Sequence, residues 1–155
     1  MIENAMTMKD FIAIDPGASG GVAHFSKGAL LGVHPMTEAK RATRLNIEGV
    51  VLEQVNGVPG QSASGAFRFG QSYGHVRGLC DAVDLPITDV PPQVWKGALG
   101  LRRGVQTVAA YKRQARELAQ ELFPDHAASF ARAKDDGLAE AALIGYWYLN
   151  KRIEQ

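Results

Sequence analysis

The stretch FIAIDPGASGGVAHF, residues 11–25, decides how the chain is read. Phe11 to Ile14 is a short apolar run of the kind expected for a strand covered on both faces, and it stops at a carboxylate, Asp15. Pro16 and Gly17 prevent the strand from continuing, and Gly20-Gly21 let a second extended run, Val22 to Phe25, fold back as a hairpin. Asp15 is thus expected at a strand end beside backbone with few side chains, where a phosphate or a metal ion meets little obstruction. An Asp before Pro is also a common turn residue, so Asp15 gains meaning only if other acids occupy equivalent positions.

Outward from the hairpin, Ala29 to His34 reads as a third strand ended by Pro35, and residues 37–48 as a helix or helical crossover. Gly49 to Val55 is a second apolar run broken by one acid, Glu53; the Val-Val-Leu before it suggests a central strand, where an unpaired acid is costly. A Gly/Pro loop leads to a helix over 66–83, in which Gly70, Gly74 and Gly78 fall at every fourth position and line one side, a smooth strip for a packed helix or a dimer contact. Leu85 to Val90 is a short strand, Pro91-Pro92 opens a helical turn carrying Trp95 and Lys96, and a long helix over 105–122 has Val108, Tyr111, Ala115, Leu118 and Leu122 as its inward stripe. Residues 125–132 read as a loop. In the last helix, over 135–150, the inward stripe traced back from Trp147 reaches Glu140 and then Asp136, two like charges one turn apart on a buried face. The helix macrodipole offsets part of their repulsion. Asp135 points elsewhere and reads as the cap.

The chain has 155 residues, which suits one domain over 1–155 with a flexible tail over 1–9 and a substantial core. Its single cysteine, Cys80, excludes an internal disulfide framework and a cysteine metal cluster, and makes a reducing cytoplasm the expected compartment. The first ten residues do not read as a signal peptide, and no apolar run approaches membrane-spanning length. Net charge is +1, but Gln54 to Cys80 and Val90 to Arg116 contain no acid at all. These zones hold Arg68 and Arg77, then Lys96, Arg102, Arg103, Lys112, Arg113 and Arg116, the makings of a positive surface for a polyanion. For any of these residues a solvated basic face is the plainer reading. The four histidines show no ligand spacing.

Asp15, Glu53, Asp136 and Glu140 all lie where an apolar pattern fails near the end of an element. If they converge, each like-charge pair at ~5 Å and an effective dielectric of ~20 costs about 3 kcal/mol, so the group must protonate or bind cations. An all-oxygen set favours Mg²⁺, with Mn²⁺ as substitute, over Zn²⁺. Two such ions in a carboxylate cluster serve in-line displacement at phosphorus.

The segments IAIDPGASGG, LEQV followed by SGAFRFGQSYG, VPPQVWK and KDDGLAEAALIG occur in the order found in the RuvC family of Holliday junction resolvases, and the last two most resemble the shorter bacteriophage members. The resemblance covers essentially the whole chain. It implies an α/β RNase H-like fold with a mixed five-stranded sheet flanked by helices. It also implies two divalent ions held by Asp15, Glu53, Asp136 and Glu140, Lys96 and Lys112 near the scissile phosphate with Lys112 among the catalytic residues, and a homodimer that nicks opposing strands of a four-way junction. DNA contacts are then expected from Lys96, Arg102, Arg103, Lys112, Arg113, Arg116, Arg68 and Asn56. Departures exist: Asp136 and Glu140 are four apart where bacterial members have acids three apart, which keeps Asp135 open as a ligand, and Asn56 stands where those members carry a junction-wedging aromatic. Phe67 and Phe69 read as core residues of their helix, with that wedging role as the other reading. The rival functions are a nuclease for other branched DNA or structured RNA within this fold, and a non-catalytic junction-binding protein. A sugar-kinase phosphate loop at IDPGASGG would need a second domain.

Overall fold

The structure, a computed structural model, describes residues 9–38, 46–54, 56, 57 and 59–154. Its centre is a five-stranded sheet of order β3-β2-β1-β4-β5, built from β1 (Phe11–Asp15), β2 (Gly21–Ser26), β3 (Ala29–Pro35), β4 (Val50–Glu53) and β5 (Ile87–Val90). The hairpin stretch supplies the antiparallel half, β1 with β2 and β2 with β3, while β1–β4 and β4–β5 run parallel. The sheet is therefore mixed, as expected, and β1 is its middle strand.

Strand alternation divides the apolar side chains between two cores. Ile12, Ile14, Val50 and Leu52 face helix α1 (Ala63–Asp81), where Val76 and Cys80 meet them. Phe11, Ala13, Phe25 and Val51 face the other side, covered by α2 (Pro92–Ala98), α3 (Val108–Leu122) and α4 (Asp136–Ile153). Helix α4 lies directly on the strands because its inner face is small: Gly137, Ala139, Ala141, Ala142 and Gly145 are all buried. A Cβ on Gly145 would come within 2.1 Å of the Phe25 ring.

Several boundaries differ from the sequence expectation for local reasons. Helix α1 starts earlier, because the Ser62 hydroxyl accepts from Gly65 N–H at 3.1 Å and caps it. Helix α3 starts later, at Val108, because Thr107 caps it in the same way through Ala110 N–H at 3.2 Å. Val105 and Val108 consequently stay exposed, while the rest of the expected stripe faces the core: Ala115 is buried with Ala119, and Tyr111, Leu118 and Leu122 pack against them partly buried. The expected loop at 125–132 instead forms 3₁₀ turns over Pro124–Phe130, with Phe130 buried. Of the helix expected over 37–48, residues 39–45 lie outside the described residues; Met36–Glu38 form one 3₁₀ turn. The expected tail lies outside them except for Lys9. Among the described residues no helix is long and apolar enough to cross a membrane. The glycine strip of α1 faces open space, since a Cβ at Gly70, Gly74 or Gly78 would meet nothing within 4 Å.

Candidate active site

Alternation carries both strand acids to one side of the sheet. Asp15 is two residues beyond Ala13, and Glu53 two beyond Val51, so each continues its strand's row onto the α4 side. The parallel pairing of Ile14 with Leu52 makes these acids neighbours at the carboxyl ends of adjacent strands.

Helix α4 brings the third acid. Its first turn is pressed against the glycine turn of the hairpin: Gly20 and Gly137 form an isolated bridge, and a Cβ on Gly137 would come within 2.0 Å of the Ser19 carbonyl oxygen. Only glycine permits this approach. One turn further on, Glu140 faces the strand ends. Asp15, Glu53 and Glu140 each offer a carboxylate oxygen, and these atoms all lie within 4.8 Å of one another. Among the described residues, this is the group of acids, histidines or cysteines arranged to hold a metal ion, and no histidine joins it.

Burial and crowding oppose ionisation of these groups. Desolvation first, and then the Glu140 charge, push Asp15 up to about 6, against the Gly17 N–H, which donates to Asp15 Oδ1 at 3.0 Å, and the charges of Lys96 and Lys112. Glu53 is pushed up to about 8 by burial and then by Asp15 and Glu140, against Lys96 and the Trp95 indole. A metal-free site therefore favours a proton on Glu53 at neutral pH, and a bound cation would replace it.

Two residues of α2 serve this cluster. Pro91-Pro92 starts the short helix so that Trp95, wholly buried, donates its indole N–H to Glu53 Oε1 at 3.0 Å. Lys96 Nζ lies 3.3 Å from both oxygens of Glu140, and 5.0 and 5.8 Å from the ring centroids of Trp95 and Tyr111. Burial works against the Lys96 charge, but Glu140, Glu53 and Tyr111 together hold its pKa above the ordinary value. From the sequence Trp95 is only part of a helical turn, and its bond to Glu53, 42 residues away, is not visible there. A tryptophan needs a partner for its N–H when buried, which was the available signal.

The structure separates Asp136 from the other three acids. Its Oδ1 accepts from Arg116 and its Oδ2 lies 3.3 Å from Lys112 Nζ, both on α3. Asp135 is turned away from the cluster. It is buried and accepts from the Arg132 backbone N–H at 2.9 Å and from the Arg132 guanidinium, which lowers its pKa. Its side chain makes no cap bond to α4.

The remaining basic residues divide by environment. Lys96, Lys112 and Arg116 border the acids; Arg102 and Arg103 are exposed between α2 and α3. Arg113 is exposed and paired with Glu117 along α3 at 3.4 Å. Asn56 is exposed in the loop after β4, and Arg68 is exposed on α1 with its Nε donating to the Ser64 carbonyl at 3.4 Å. Phe67 does not enter the core as expected: it is 67% exposed, because it lies on the side of α1 turned from the sheet. Phe69 is half-buried near the Gly17 turn, 3.9 Å from where a Gly17 Cβ would stand.

No protein-family model matches the chain, and no curated protein matches it either. Among solved structures it is similar to Thermus thermophilus RuvC in complex with a Holliday junction substrate. That match has a TM-score of 0.60 and 17% identity over 93% of this chain and 96% of that one. A second T. thermophilus RuvC structure matches with a TM-score of 0.54 and 18% identity over 92% and 96% of the two chains. The fold is that of RuvC: an RNase H-like mixed five-stranded sheet flanked by helices.

Proposed function

We propose that this protein is a metal-dependent, structure-selective DNA endonuclease, a Holliday junction resolvase of the shorter, phage-type kind, that acts as a homodimer in a reducing cytoplasm. The observation that carries the proposal is the meeting of Asp15, Glu53 and Glu140 at the strand ends of a RuvC-like fold. The RuvC neighbour described with a Holliday junction substrate supports four-way DNA as the substrate class.

The donor set fits a hard divalent cation such as Mg²⁺ or Mn²⁺: three carboxylates, no thiolate and no imidazole, in a buried site whose acids are pushed toward protonation. Asp15, Glu53 and Glu140 would hold the cation, with Asp136, one helical turn from Glu140, as the ligand that a second would need. When bound, such ions supply the Lewis acidity that phosphodiester hydrolysis needs at the attacking and leaving oxygens. The protein's own groups supply the rest. Trp95 orients Glu53, the Gly17 N–H orients Asp15, and Lys96 orients Glu140. Lys112, whose side chain is half-exposed, would meet a phosphate oxygen, and the exposed Arg102, Arg103, Arg113, Arg68 and Asn56 would contact the DNA beyond it. The expected products carry a 5′-phosphate and a 3′-hydroxyl. The open glycine strip of α1 is the surface we assign to the dimer contact.

The test is cleavage of a labelled immobile four-way junction against a matched linear duplex, with Mg²⁺, with Mn²⁺ and with chelator. Paired symmetric nicks on the junction alone, dependent on metal and abolished in Asp15→Asn while junction binding persists, support the proposal. Cleavage of flaps or RNA would keep the site and discard the substrate. Junction binding without nicking would leave an architectural protein.

A further inference from the structure

The four acids do not share the neighbouring cations evenly. Asp15, Glu53 and Glu140 have one close ammonium, Lys96, whereas Asp136, one helical turn from Glu140, has an oxygen facing each of two cations, Arg116 and Lys112. The Arg116 and Asp136 side chains are only 13% and 18% exposed, so solvent screens their attraction weakly. With every group ionised, the three acids and Lys96 carry two negative charges, which one divalent cation neutralises. Asp136 with its two partners carries one positive charge, which repels a second.

We propose, resting on the metal-dependent nuclease reading, that the site without DNA holds one divalent ion, at Asp15, Glu53 and Glu140, and that Arg116 with Lys112 occupies the place of a second at Asp136. Entry of the second ion then requires these side chains to leave the carboxylate. A guanidinium fork binds phosphate as readily as carboxylate, and Lys112 reaches Asp136 from the solvent side with its own chain 46% exposed. A DNA backbone arriving at α3 is therefore the competing anion that opens Asp136. This arrangement couples completion of the metal centre to substrate.

The experiment is a titration of the DNA-free full chain with Mn²⁺, reading free Mn²⁺ by paramagnetic resonance and bound Mn²⁺ by calorimetry, with a melting curve for each variant. The wild type is expected to bind one Mn²⁺ per chain in the micromolar to low-millimolar range. Arg116→Gln combined with Lys112→Gln is expected to bind two, the second at least tenfold tighter than in the wild type. Asp136→Asn, which needs no Arg116 substitution, is expected to keep the one-ion count. Two ions of similar affinity in the wild type would overturn the proposal, as would an unchanged count of one in a folded double variant, or loss of the first ion in folded Asp136→Asn. Wild-type binding no greater than that of Asp15→Asn would overturn the metal-centre reading beneath it.

Discussion

Trp95 and Glu53 are 42 residues apart in sequence and joined by a hydrogen bond of 3.0 Å, the indole N–H donating to Oε1 in a wholly buried setting. The bond fixes one oxygen of the acid whose ionisation is most opposed by its surroundings. Hydrogen bonds to charged groups are worth about 1.5–3 kcal/mol, more than typical neutral ones.

Trp95→Phe keeps much of the ring volume and removes the donor. Metal affinity is expected to fall by about tenfold, as for other groups that orient ligands. The ascending limb of the pH–activity profile should move to higher pH, because Glu53 loses a group that favours its ionised form. Calorimetry and a pH profile read both effects; a change in melting temperature with neither would reduce Trp95 to packing.

In chelator, stability should fall as pH rises from about 5 to 8. Asp15 and Glu53 have folded pKa values of about 6 and about 8, against ordinary values of 3.8 and 4.5. Between those limits the folded chain binds more protons than the unfolded one, so added base favours unfolding. Asp135 has the opposite sign: Arg132 holds its pKa down, and its contribution is lost as pH falls through that folded value. A loss of about 1 kcal/mol corresponds to roughly 3 °C for a chain of this size. Melting curves across this range, with and without Mn²⁺, are the check, and metal should flatten or reverse the slope.

Gly137→Ala should be damaging and Gly74→Ala mild. The first places a Cβ 2.0 Å from the Ser19 carbonyl, with backbone rather than a flexible side chain in the way. The start of α4 must then shift away from the hairpin turn and carry Glu140 with it, at a cost of about 1–3 kcal/mol and with weakened Mn²⁺ binding. The second adds a methyl group to an open helix face, where alanine is favoured over glycine by about 1 kcal/mol. Denaturant unfolding compares the two directly, and sedimentation of Gly74→Ala reports on the proposed dimer contact.

Junction affinity should fall with salt at a log–log slope near −5 if about six basic groups reach phosphates, at roughly 0.9 per contact. Lys96→Ala and Lys112→Ala should reduce cleavage more than they reduce stability. A flat salt response would remove the basic face from the substrate path.

The hairpin, the strand at 49–55 and two of the acids are legible in residues 11–25 and 49–55, because an extended run and its breaks are local; the parallel pairing that makes the sheet mixed is not, and came from the family resemblance. An apolar run ending in one acid therefore states which element carries the carboxylate and at which end. Helical spacing likewise put Asp136 and Glu140 on one face of α4, since that relation is local. What the two acids then meet is not local. Asp136 lies 20 residues from Arg116 and is claimed by α3, whereas Glu140 reaches the strand ends, and only the packing of α3 and α4 on the sheet divides them. The same holds for Trp95, whose partner is set by how α2 follows β5, and for Phe67, whose exposure depends on which side of α1 meets the strands. The sequence by itself determined the local periodicities and breaks; the tertiary structure decided how charges pair across elements, because Coulomb and hydrogen-bond energies depend on distances that chain spacing does not contain.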